Sequence, residues 1–142
     1  MAERWDATAI RSGALVSLVF AVPLSIAARL AADDDNSGAA VGLVLGALVG
    51  FVVGAGCAAW LQQRGTPLSH GMVTAGGTYL AAQAVFVVIR LVRTESVSWF
   101  ALVFNLSFVL VAGVIGGMLG QRLQSSGFRP SGSRPSASRN RE

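Results

Sequence analysis

Charge is missing from most of this chain and crowded into the remainder. No Asp, Glu, Lys or Arg occurs between Asp35 and Arg64, between Arg64 and Arg90, or between Glu95 and Arg122. A hydrocarbon core of about 30 Å is crossed by a helix of about 20 residues, and each of these runs is longer than that. The stretch between Arg11 and Arg29 is shorter, at 17 residues. Ile10 and Leu30–Ala32 extend its apolar character, and Arg29 can place its guanidinium among headgroups while its stem stays apolar. Backbone in hydrocarbon must satisfy its own hydrogen bonds, so the runs predict helices near 12–32, 38–62, 71–92 and 98–121. The expected fold is all-α, a four-helix transmembrane bundle over residues 1–121 followed by a basic tail over 122–142. Composition agrees: 13% of the 142 residues are charged and 53% apolar, where a soluble domain has about a quarter charged. That excludes an ordinary soluble enzyme domain, and a single cysteine, Cys57, excludes a disulfide scaffold.

The arginines predict orientation. With the N-terminus cytoplasmic, Arg4, Arg11, Arg64, Arg122, Arg129, Arg134, Arg139 and Arg141 lie inside, against Arg29, Arg90 and Arg93 outside. Positive charge favours the cytoplasmic side, so both termini are expected there, in a bacterial plasma membrane. Trp60 and Trp99 then fall near opposite interfaces. A secretory signal is the competing reading of the first span, through Ser25-Ile26-Ala27, but acidic Glu3 and Asp6 precede it and the span is taken as uncleaved. All eleven basic residues are Arg, which with abundant Ala and Gly suggests a GC-rich genome.

The most specific pattern is a glycine row in the second span: Gly38, Gly42, Gly46, Gly50 and Gly54, continued by Ala58. Four residues on a turn of about 3.6 return each glycine to nearly one face, so another helix backbone can approach closely. The fourth span carries Phe100, Phe104, Phe108, Ala112, Gly116 and Gly120 at the same spacing. The expected packing sets the phenylalanines into the glycine groove and Gly116 and Gly120 onto Gly54 and Ala58. The sharper alternative puts the glycine row outside, for a homo-oligomer or a larger membrane complex.

Polar residues limit the chemistry. No span holds an Asp or Glu, which argues against an exporter that depends on a membrane carboxylate. Gln83 and Asn105 are the deep amides, expected to hydrogen-bond between helices, or else to line a polar path. His70 beside Ser69 has no orienting third group for nucleophilic catalysis and reads as an interfacial helix-start residue. Pro23 is expected to kink the first span. Asp33-Asp34-Asp35-Asn36-Ser37-Gly38 resembles the opening of a calcium loop, but Val44 stands where a bidentate Glu is required, so a capped turn is expected and no metal. Cys57 reads as a small packing residue. No catalytic, cofactor-binding or metal-ligating set emerges, and no enzyme is expected.

The tail is Ser, Arg, Pro and Gly, with Arg129-Pro130-Ser131-Gly132-Ser133 nearly repeated as Arg134-Pro135-Ser136-Ala137-Ser138. This composition predicts disorder. Arg122, Arg129, Arg134, Arg139 and Arg141 are expected to meet anionic inner-leaflet lipid or an acidic partner, and no nucleic acid, since no aromatic platform accompanies them.

Gly65-Thr66-Pro67-Leu68-Ser69-His70-Gly71, with Gln83 and the Arg90 and Arg93 end of the third span, resembles small four-span membrane proteins of GC-rich Gram-positive bacteria. The resemblance implies location and topology and transfers no catalytic residue. The expected function is that of a multi-pass accessory or scaffold protein packing through glycine-lined faces. The alternative is a homo-oligomeric channel or small-solute transporter using Gln83 and Asn105.

Overall fold

A computed structural model describes residues 5–94 and 96–127. It contains four helices: α1 (Ala7–Asp33), α2 (Ser37–Leu61), α3 (Pro67–Val92) and α4 (Trp99–Ser125), each long and apolar enough to cross a membrane. Local chemistry sets where they begin. The side chains of Asp6, Asn36 and Ser98 accept the backbone N–H three residues on, satisfying one of the donors that a helix start leaves free. α3 instead starts on Pro67, whose missing N–H costs nothing at that position. Pro23 lies within α1, which continues past it. The Asp6 cap starts α1 earlier than the expected span, and α4 runs past the expected boundary at 121 to Ser125. Of the tail arginines, Arg122 lies on α4, and Arg129, Arg134, Arg139 and Arg141 lie outside the described residues.

α2 touches all three other helices and α3 does the same, while α1 and α4 do not meet among the described residues. The start of α1, the end of α2, the start of α3 and the end of α4 share one end of the bundle, called here the termini end. The turns after α1 and α3 form the far end.

Small residues hold the helices together. Ala55, Ala58, Ala59 and Ala75 expose no surface. Gly46, Gly50 and Gly54 of α2 lie against α1: a Cβ at Gly50 would come 2.6 Å from the Cβ of Phe20, and one at Gly54 would meet the Ser17 hydroxyl and lie 2.5 Å from the Gly13 carbonyl oxygen. α1 meets this row with a row of its own at the same spacing, Ala9, Gly13, Ser17 and Ala21, all buried. The hydroxyl of Ser17 in this seam is buried without a hydrogen-bond partner, as are those of Thr74 and Thr78 on α3, so close van der Waals packing holds the seam, the interaction that remains when lipid is as apolar as the side chains.

The expected pairing of the glycine row with α4 is corrected here. α1, joined to α2 by a short turn, occupies the groove. α4 reaches a neighbouring face of α2: Gly116 packs on Val52, Ala55 and Gly56, and Gly120 on Gly56, Ala59 and Trp60 rather than on Gly54 and Ala58. Adjacent faces of α2 are both small, so the helix takes two close neighbours. Phe100, Phe104 and Phe108 do not enter the groove; they are 80%, 53% and 48% exposed, with Phe100 stacked on Phe104 and Phe104 meeting Phe108 edge-on along α4. A Cβ at Gly38 or Gly42 would meet nothing within 4 Å, so these two glycines make no helix contact within the chain.

The termini end is tied by hydrogen bonds that reach all four helices. The Gln124 amide of α4 donates to the carbonyls of Ala59 (3.1 Å), Trp60 (2.8 Å) and Gln62 (2.9 Å), acceptors that the end of α2 leaves without intrahelical partners. Gln62 donates to the Gln124 oxygen and accepts from the Arg64 N–H at 2.7 Å and the Thr66 N–H at 3.4 Å. The Thr66 carbonyl accepts from Nδ1 of His70 at 2.9 Å, and Nε2 of His70 accepts the Asp6 N–H at 3.0 Å. His70, in the first turn of α3, is fully buried within the bundle, with the Trp5 ring 5.4 Å away, and joins α3 to the start of α1.

Two stability measurements test this packing. Gly54→Ala should overpack the α1–α2 seam and cost about 1–3 kcal/mol, whereas Gly42→Ala should be neutral or gain up to about 1 kcal/mol of helix propensity. Unfolding in bicelles by added sodium dodecyl sulfate measures both, and equal losses would mean that α1 does not fill the row. Gln124→Leu should cost about 1–3 kcal/mol by leaving buried acceptors at the end of α2 unpaired. Gln121→Leu, on the exposed side of the same helix, should leave the unfolding transition in place.

Candidate functional site, a cleft at the far end

On α3 and α4 the closely packed residues end about halfway along the bundle. The buried residues of α3 all lie within 70–79, and those of α4 within 109–120. Beyond them the facing positions carry Val, Phe, Leu and Ile, whose bulk keeps backbones apart. α1, α3 and α4 then leave a cleft of about 630 Å³ at the far end.

Residues about one turn apart on each helix line it, so each helix contributes one stripe. From α1 these include Ser25, Arg29 and Asp33; from α3, Tyr79, Gln83 and Arg90, with Arg93 just after it; from α4, Leu102 and Asn105. The stripe on α3 from Tyr79 to Arg90 spans about 16 Å at about 1.5 Å per residue, about half of a bilayer core. The cleft is therefore polar at its mouth, apolar along its middle and polar again at its floor.

Tyr79 closes the floor. Its hydroxyl donates to the Leu102 carbonyl at 3.0 Å, and Asn105 lines the same cleft. Its ring meets Phe51 of α2 edge-on, with centroids 6.4 Å apart, and so joins the packed half. An aromatic body in the core with a polar tip at the cleft is the usual place for a tyrosine between dry and wet surroundings. At the mouth, Nη1 of Arg90 donates to the Ser96 carbonyl at 3.4 Å. Arg29 and Arg93 are exposed beside it, and Asp33 is the carboxylate among the lining residues.

The cleft thus brings together Gln83 and Asn105, the two amides singled out from the chain, and adds Tyr79 and the arginine group. The recurrence of Tyr79, Gln83 and Arg90 on one face of a helix was the available signal. The other sequence features lie elsewhere. Asn36 caps α2 and Asp35 adopts a left-handed φ of +58° in the turn, while among the described residues no three His, Cys, Asp or Glu side chains gather as a metal would need. Cys57 is a free, half-buried thiol on α2.

Water from the far end should enter this cleft. In a Cys57→Ser background, cysteine at Ser25 or Asn105 should label with a membrane-impermeant maleimide many-fold faster than cysteine at Ala112 in the packed half. Equal rates would mean that the cleft is closed to water. Compared with protein families, curated proteins and solved structures, the chain matches no family model, no curated protein and no solved structure, so the chemistry of its own residues carries the functional reading.

Proposed function

We propose that this chain is a multi-pass accessory or scaffold protein that works by helix-to-helix packing in the bilayer. The observation that carries the reading is that the glycine row outruns its own partner. Gly46, Gly50 and Gly54 are covered by α1, whereas Gly38 and Gly42 continue the same register into open space. Glycine costs about 1 kcal/mol relative to alanine inside a helix, and within a bilayer its usual return is close approach by another backbone. A second copy of this chain or a helix of a larger membrane complex would supply that backbone, with the exposed Phe100–Phe104–Phe108 ridge as a further face for contact. This reading assigns no catalysis, cofactor or metal.

In the proposed orientation both termini face the cytoplasm of a bacterial cell and the far end faces outward, following the distribution of eight and three arginines. Arg122 and the arginines after it would then meet the anionic inner leaflet, each gaining about 1 kcal/mol. A second reading, a homo-oligomeric channel or small-solute transporter, is favoured by one observation: Gln83 and Asn105 share a cleft. The close-packed half of the bundle lies beneath that cleft, so a path would have to run between copies.

Oligomer mass in lipid nanodiscs decides between these readings. The accessory reading expects a homo-oligomer or a stoichiometric companion, and in a Cys57→Ser background a Gly42→Cys variant that crosslinks to it. A monomer with no companion sinks it. Solute flux in reconstituted vesicles that disappears with Asn105→Leu would favour the second reading instead.

A further inference from the structure

We propose that the far-end cleft holds one anionic glycerophospholipid, its phosphate among the arginines and its ester groups against the amides below. Three features of the cleft lead there. Arg29 of α1, Arg90 of α3 and Arg93 just after it line one mouth, with Asp33 the carboxylate among the described lining residues. Asp34 and Asp35 lie beyond it on the exposed turn after α1. A guanidinium presents a planar fork of donors that matches phosphate oxygens two at a time, and arginine is preferred over lysine where that geometry matters. The lining charge is thus a net positive one, suited to a headgroup that carries a phosphate without a compensating ammonium.

Below the mouth the walls turn apolar, through Ile26 and Leu30 on α1, Phe86 and Val87 on α3, and Leu102 on α4. A free phosphate gains nothing from such walls, because each apolar group left in contact with a hydrated ion is one less hidden from water. A lipid gains from both regions. Gln83 lies seven residues below Arg90, about 10 Å along the helix, and with Asn105 offers amide N–H donors near the depth of a glycerol ester. Polar donors at that depth are costly in hydrocarbon unless an acceptor meets them.

A volume of about 630 Å³ accommodates a headgroup and its glycerol but not two full chains, which would extend from the cleft into the bilayer. This assignment rests on the membrane-spanning fold and on the cleft, and it is independent of whether the chain works as a scaffold or as a channel.

Native mass spectrometry of the detergent-purified chain, titrated with phosphatidylglycerol or phosphatidylcholine, tests it. Wild type should retain one phosphatidylglycerol at least tenfold more tightly than phosphatidylcholine. The double variant Arg29→Gln/Arg90→Gln should lose that preference, with its thermal transition in detergent unchanged when no lipid is added. Arg90→Lys should fall between the two, because charge is kept and the fork is lost. Gln83→Leu/Asn105→Leu should weaken retention of both lipids several-fold, and Arg122→Gln, at the other end of the bundle, should change neither. Retention that ignores headgroup, or survives Arg29→Gln/Arg90→Gln, overturns the proposal. So does full displacement of phosphatidylglycerol by millimolar inorganic phosphate, which would make this a site for a soluble anion.

Discussion

Contact between helix backbones is the constraint on which this structure rests. In a bilayer the side chains of one helix gain nothing by exchanging lipid for another helix of equal apolarity, so the usual driving force for a core is lost. What remains is dispersion, about 0.1–0.2 kcal/mol per atom pair at contact distance, and it grows only when many atoms come close together. Glycine and alanine provide that closeness. The buried set is accordingly mostly Ala, Gly, Ser and Thr, with Phe51, Tyr79 and Val109 as its larger apolar members and His70 and Gln62 at the hydrogen-bonded end. On α3 and α4 the buried residues stop about halfway along the bundle, and the cleft begins there.

The two ends of the bundle use polarity in opposite ways. At the termini end Gln124, Gln62, Thr66, His70 and Asp6 form a sequence of hydrogen bonds in which donors and acceptors find one another within the chain. Such a network is stabilising when its members are satisfied, because each bond forms in surroundings of low dielectric. At the far end Arg29, Gln83 and Asn105 line a cleft, beside Arg90, which donates to the Ser96 carbonyl. Polar groups that face a cavity inside a membrane retain their capacity to bond something that arrives from outside, and this makes the cleft the candidate site even though the better-ordered polar cluster lies at the opposite end.

Much of this architecture is legible in the residue string. Four charge-free runs predict four helices because a hydrocarbon core tolerates neither charge nor unpaired backbone. The glycine spacing tells that some backbone comes close, but spacing alone does not name the backbone. The row Ala9, Gly13, Ser17 and Ala21 on α1 has the same period and was the missing half of the argument; a serine in its middle hid it among polar residues. His70 was harder to place, since its burial depends on Trp5 and Asp6, distant in sequence and brought near only when α1 and α3 pack. Gln83 and Asn105 stand out in the sequence as deep amides, whereas Tyr79 carries no such signal until α3 and α4 are seen to pack. The arginines at the far end read as a topology code because a single helix cannot reveal that two others bring like charges to the same mouth.

The uneven packing of α3 and α4 also bears on motion. Their buried residues lie within 70–79 and 109–120, so the parts of these two helices beyond those limits give up the fewest buried contacts when they open locally. Breathing of the bundle is therefore expected to begin at the cleft and to leave the hydrogen-bonded end closed.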